Sequence, residues 1–120
     1  MFIISYETQF QASHFVRGYK EKGEPLHEHN WRVEVRLRKK ETDETGIAFD
    51  FEDLKKETEN IVSSLKEKNL NELEDFKIMN PTTENLAKWF HDGLQKRLKG
   101  IVEEVRVWEA EGCSIVYRED

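Results

Sequence analysis

Two histidines stand one residue apart in "PLHEHNW", residues 25–31, and a third, His14, closes the segment "FQASH". Along an extended strand, two residues return a side chain to the same face about 7 Å further on. His27 and His29 therefore point the same way. If residues 15–26 join the two segments as a long hairpin, His14 falls opposite His27 or His29, and three imidazoles converge. Imidazole is the commonest protein ligand for zinc, and three of them leave a fourth position open for water or substrate. The competing reading is three unrelated polar residues at a strand end, which prevails for a lone histidine. Here three of the four histidines meet at the end of an apolar face, where only paired or metal-bound groups are tolerated. Spacing does not fix the metal, because an open histidine site also accepts nickel, cobalt or iron. The fourth histidine, His91, sits beside Asp92 on a predicted helix and is expected to be solvated.

The elements that must position these rings are legible as alternating and helical patterns. In residues 2–14, Phe2, Ile4, Tyr6, Thr8, Phe10, Ala12 and His14 share one face, which predicts a half-buried strand. Residues 15–26 are polar, carry Gly18, Gly23 and Pro25, and read as a loop. Alternation resumes with His27, His29, Trp31, Val33, Val35 and Leu37 on the core side. "KKETDETG" is a polar turn and "GIAFDF" reads as a third short strand. A helix is expected from Asp50 as N-cap, with Phe49 stapled onto Leu54 and a stripe of Phe51, Leu54, Ile61, Val62 and Leu65. Residues 66–81 read mostly as loop. A second helix follows, capped by Thr82 or Thr83, with Leu86, Trp89, Phe90, Leu94 and Leu98 facing the core and Gly100 stopping it. Val105, Val107 and Glu109 then share a strand face, and "CSIVY" closes the sheet. Glu109 lies either at the wet end of that sheet or is kept to bind a donor-rich ligand. The order predicts an α+β fold, helices layered on an antiparallel sheet.

Composition bounds the partners. The 120 residues suit one domain, residues 1–120, with a real core. The net charge is −6, and no basic run interleaves with aromatics, which disfavours nucleic acid. No apolar run approaches membrane-spanning length, and the N-terminus lacks a signal pattern. The single cysteine, Cys113, forms no internal disulfide, in keeping with a cytoplasmic protein. It reads as a small buried strand residue at least as readily as a reactive one.

The segments "FQASHF", "LHEHNWRVEVRL", "GIAFDFEDLKK", "NPTTENLAKW" and "VRVWEA" follow in the order and spacing of the 6-pyruvoyl-tetrahydropterin synthase family, which includes the 6-carboxytetrahydropterin synthases of the queuosine pathway. The chain resembles that family over nearly its whole length. The resemblance implies a tunnelling fold, with a four-stranded sheet and two helices on one face. Protomers would form a trimeric antiparallel barrel, and two trimers a homohexamer. It implies zinc on His14, His27 and His29, and a pterin pocket between subunits with Glu109 on the guanidine-like edge. A carboxylate suits that edge because it accepts two parallel N–H bonds from a planar donor pair. Thr82, Thr83 and Glu84 match the family's second pterin contact, and the usual substrate is 7,8-dihydroneopterin triphosphate.

Departures from the pattern narrow the activity. Gly23 stands where the family's catalytic cysteine normally lies, and Lys66 and Glu67 stand where an Asp-His pair is usual. Glu24, in "EPLHEHN", resembles a branch with E-x-x-H in place of the cysteine, associated with cleavage of the substrate side chain to 6-hydroxymethyl-7,8-dihydropterin. Glu24 would then move a proton beside the metal in a retro-aldol step. The alternatives are a 6-carboxytetrahydropterin or 6-pyruvoyl-tetrahydropterin synthase with a replaced relay, or a non-catalytic homologue that binds zinc and pterin. Glu28, where the family commonly has Gly, is aimed by alternation away from the metal face. Arg17, Lys20 and Lys22 are candidate cations for the phosphates, or else ordinary surface charge.

Overall fold

The computed structural model describes residues 1–19 and 24–120. The expectations placed on Lys20, Lys22 and Gly23 lie outside the described residues. Four strands form one antiparallel sheet in the order β1-β2-β3-β4: β1 (Phe2–His14), β2 (His27–Lys39), β3 (Val102–Ala110) and β4 (Cys113–Tyr117). Two helices, α1 (Phe51–Val62) and α2 (Thr83–Arg97), cover one face. None of the helices among the described residues is long and apolar enough to cross a membrane.

The sheet is held by the alternation seen in the sequence. Trp31, Val33, Val35 and Leu37 of β2 are fully buried, as are Val105 and Val107 of β3, and they meet Leu54, Leu86, Phe90 and Leu94 from the helices. Residues of the opposite parity carry the charged face, where the Arg32 guanidinium lies 3.8 Å from the centre of the Trp108 ring. β1 and β2 pair in register over their whole length, from Phe2 opposite Lys39 to His14 opposite His27. The hairpin therefore delivers its histidines to one end of the core face.

Both helices begin as their sequences predict. The Asp50 carboxylate accepts from the Glu52 N–H, and the Thr82 hydroxyl accepts from the Asn85 N–H. Caps of this kind contribute about 1 kcal/mol each. Gly100 has φ +87°, in the left-handed region that suits glycine just past a helix end.

Several local expectations are corrected. "GIAFDF" is not a strand and joins no edge of the sheet. Instead the Asp43 carboxylate gathers the N–H groups of Thr45 and Ile47 into a tight turn that delivers the chain to Asp50. Phe51 is exposed at the first helical position, outside the core stripe, and Thr58 is buried in that stripe. Cys113 is exposed at the start of β4. His91 is buried, not solvated: α2 turns it under Tyr117, whose ring centre lies 4.9 Å away, and its Nδ1 is 3.0 Å from Asp92.

Residues 66–81 are more ordered than a loop. They contain two short 3₁₀ turns, Leu70–Glu72 and Glu74–Phe76, and run beside β1, with the Ser13 N–H donating to the Lys68 carbonyl. Two asparagines extend that contact past the end of β1. Asn71 pairs with both backbone groups of Phe15, and Asn80 with both of Arg17. The Arg17 guanidinium donates to the carbonyls of Phe76, at 2.7 Å, and Asn71, at 3.3 Å. Arg17 is thus committed to holding this segment against β1. Arg17→Ala is expected to lower unfolding stability by about 1.5–3 kcal/mol, the range for hydrogen bonds to a charged group. A urea midpoint measures it, and Arg17→Lys should restore little because a single ammonium lacks the planar fork.

Candidate metal centre

His14, His27 and His29 converge at the end of the β1–β2 hairpin. Their ring centres lie 4.6 Å (His14–His27), 5.1 Å (His14–His29) and 4.5 Å (His27–His29) apart. The protein aims two of the rings through their far nitrogens. His14 Nδ1 is 2.7 Å from the carbonyl oxygen of Pro81, and His27 Nδ1 is 2.9 Å from that of Pro25. A carbonyl only accepts, so each Nδ1 carries the proton and each Nε2 presents a lone pair to the centre, as in histidines that bind metals. Trp31 packs edge-on against His14 and His29, and its indole N–H is taken by the Ala12 carbonyl.

Glu109 joins the group from β3. Its Oε1 lies 2.8 Å from His29 Nε2, 3.6 Å from His14 Nε2 and 3.9 Å from His27 Nε2. The short approach to His29 is off the line of a ring N–H bond, and His29 Nε2 has no hydrogen-bond partner. Two acceptors therefore face a common point. Oε2 of Glu109 is held by the Thr83 hydroxyl at 2.8 Å. Burial pushes the Glu109 carboxyl upward, but the Thr83 hydrogen bond and the three imidazoles outweigh it, and its pKa falls below the ordinary value. His29 is shifted downward by burial, against the pull of Glu109 and with help from the other two rings. Ionised carboxylate and neutral imidazole are the forms that bind a cation.

The residues present fit a metal. His14 is 1% exposed, and its Nε2, like that of His29, is a buried polar atom without a hydrogen-bond partner. Such an atom costs about 1–3 kcal/mol unless something satisfies it. Together with Glu109 the three rings offer donor atoms all within 4.8 Å of one another.

Glu24 stands at the rim. Its Oε1 is 3.5 Å from His27 Nε2 and is likewise buried without a hydrogen-bond partner. Of the "PTTEN" residues, Thr83 touches Glu109, Thr82 is occupied as the cap of α2, and Glu84 is exposed on its first turn. Glu28 is exposed on the opposite side from the rings. Cys113 and Glu67 are not among the potential metal ligands gathered around the histidines. Spacing alone did not reveal the Pro81 carbonyl behind His14 or the Thr83–Glu109 bond. Only the neighbouring "NPTTEN" hinted at them.

The family described as 6-pyruvoyl tetrahydropterin synthase matches residues 3–120. The dihydroneopterin monophosphate aldolase of Pyrococcus furiosus is 37% identical over 108 residues, 88% of each chain. A putative 6-carboxy-5,6,7,8-tetrahydropterin synthase of Archaeoglobus fulgidus is 37% identical over 110 residues, 91% of this chain and 89% of that one. The solved 6-pyruvoyl tetrahydropterin synthase of Caenorhabditis elegans superposes with a TM-score of 0.84 over 100% of this chain and 98% of that one, at 24% identity.

Proposed function

Because this chain belongs to the 6-pyruvoyl tetrahydropterin synthase family, we propose that it is a zinc-dependent lyase that cleaves the side chain of a phosphorylated 7,8-dihydroneopterin. The products are 6-hydroxymethyl-7,8-dihydropterin and a phosphorylated glycolaldehyde. The observation that carries this reading is Glu24. It is a carboxylate with an unpaired buried oxygen beside His27, in a chain whose catalytic-cysteine position is Gly23.

His14, His27 and His29 would hold the zinc, which would supply Lewis acidity that lowers the pKa of a side-chain hydroxyl. Glu109 accepts the paired N–H groups of the pterin ring and fixes its orientation, with Thr83 steadying the carboxylate, Thr82 capping the helix that carries Thr83, and the exposed Glu84 completing the ring contacts of an adjoining protomer. Glu24 takes the proton from the second side-chain hydroxyl. The bond between the first and second side-chain carbons then breaks. Its electron pair moves into the C6–N5 imine of the ring, and the second carbon leaves as the aldehyde. Glu24 returns the proton to the first carbon, which becomes the hydroxymethyl group. No net oxidation occurs and no co-reactant is needed.

The monophosphate is the preferred substrate in this reading. The Arg17 guanidinium, three residues after His14, is already bonded to backbone carbonyls, and the similar protein of Pyrococcus furiosus is named for the monophosphate. Zinc-loaded protein offered the mono- and triphosphates separately, with the pterins identified by mass spectrometry, tests the proposal. A 6-hydroxymethyl product, formed faster from the monophosphate, is expected. A 6-carboxy or 6-pyruvoyl product overturns it in favour of a synthase with a replaced relay. No turnover with zinc bound leaves a binding homologue.

Self-association belongs to the same reading. Phe2 and Ile3 on the free edge of β1, and Ile78 at 97% exposure, are large apolar groups without cover. We expect native mass spectrometry to show a homohexamer, or its constituent trimer, with no monomer at micromolar concentration.

A further inference from the structure

Glu109, proposed as the ring anchor, rests among the histidines. Glu109 Oε1 lies within 3.9 Å of all three histidine Nε2 atoms, whereas Glu24 Oε1 approaches only His27, at 3.5 Å. Glu109 is therefore central to the donor set and Glu24 peripheral. Its position is built. The sheet register breaks between Trp108 and Ala110, a bulge that re-aims the intervening side chain, and the Thr83 hydroxyl fixes the other oxygen. Charge argues the same way. Three neutral imidazoles leave a divalent cation uncompensated beside a ring that is 1% exposed, and a carboxylate halves that charge.

We propose that Glu109 is the fourth ligand of the metal in the substrate-free protein and that the incoming pterin ring draws it away, so that ring binding opens the position the side chain needs. This rests on the reading of Glu109 as ring anchor. A carboxylate turned so that both oxygens accept a planar N–H pair no longer aims Oε1 at the centre of the three rings. Metal and ring thus compete for Glu109, and the competition is reciprocal: whatever the ring costs the metal, the metal costs the ring. The protein keeps its metal protected until a pterin arrives, and a phosphorylated diol without the ring meets a closed site.

The test uses cobalt-substituted protein, whose visible spectrum reports the ligand set, and zinc affinity measured by chelator competition. The ring probe is 7,8-dihydropterin, which lacks the side-chain hydroxyls. The cobalt spectrum is expected to change on adding the ring. Glu109→Ala should show no such change and should bind zinc about 10²–10³-fold more weakly, roughly a quarter of a zinc site's binding free energy for losing one of four ligands. Thr83→Val, which frees the carboxylate without removing it, should give a smaller loss, and it carries the test if Glu109→Ala fails to fold. Zinc affinity within about twofold of the parent in both variants overturns the proposal. A loss of affinity without any ring-induced change in the parent spectrum also overturns it, because displacement is then absent. The anchor role of Glu109 is judged separately, by whether Glu109→Ala weakens binding of 7,8-dihydropterin, and proton transfer by Glu24 by the product assay.

Discussion

Replacing Glu24 by glutamine is expected to lower turnover of dihydroneopterin monophosphate by about 10²–10⁴-fold, the usual contribution of a positioned general acid–base. Zinc content should be unchanged and KM little affected. The carboxamide has nearly the shape of the carboxylate but neither takes nor returns a proton. Glu24 Oε1 is buried without a hydrogen-bond partner and lies near one histidine, not among all three. Folding does not require that oxygen, so its loss should leave the unfolding temperature close to the parent's. Turnover within about threefold of the parent would return Glu24 to the ordinary loop glutamates. Loss of zinc in the variant would make it a ligand, and the division of labour between Glu24 and Glu109 would have to be reversed.

What the sequence carried best was periodicity. The parity of residues 2–14 and 27–37 placed His14, His27 and His29 on one face, and the register, with His14 opposite His27, brought them together as expected. The chain caps its helices where Asp50 and Thr82 announce it. What failed was local pattern without a partner. "GIAFDF" has the composition of a strand, but the Asp43 carboxylate bonds the N–H groups of Thr45 and Ile47 into a turn where that strand would begin, and the segment pairs with no strand of the sheet. His91 looked solvated because it adjoins Asp92, yet burial on a helix is decided by what packs over it, here Tyr117. Arg17 looked like a free cation because its acceptors, the carbonyls of Asn71 and Phe76, are more than fifty residues away. Backbone carbonyls carry no side-chain signature, so neither these nor the Pro81 oxygen behind His14 leaves a trace in composition or spacing.

Stripping the metal is expected to lower the unfolding temperature by roughly 10–20 °C, and His14→Ala should abolish most of that difference. A ligand present at about a thousand times its dissociation constant stabilises the folded state by about 4 kcal/mol. In a domain of this size each kcal/mol moves the midpoint by roughly 3–5 °C. The physical source is visible at the ring. His14 Nε2 and His29 Nε2 are buried and unpaired among protein atoms, so the metal-free fold bears a desolvation cost that coordination relieves. His14→Ala removes one of those unpaired atoms together with the donor to the Pro81 carbonyl. The metal-free variant should therefore unfold near the metal-free parent. With zinc added the two should separate, because the variant has lost one positioned ligand and about 10²–10³-fold in affinity, roughly a quarter of a zinc site's binding free energy. Calorimetry of parent and variant, each with chelator and with zinc, gives the four midpoints. If the variant gains as much from zinc as the parent, the ion is bound elsewhere and the three-histidine centre does not hold it. If the parent gains nothing, no metal is bound at the folded state's expense, and the unpaired nitrogens must be satisfied by water. Parent and variant would then share a midpoint in both solutions, and the proton chemistry assigned to Glu24 would lose the Lewis acid it depends on.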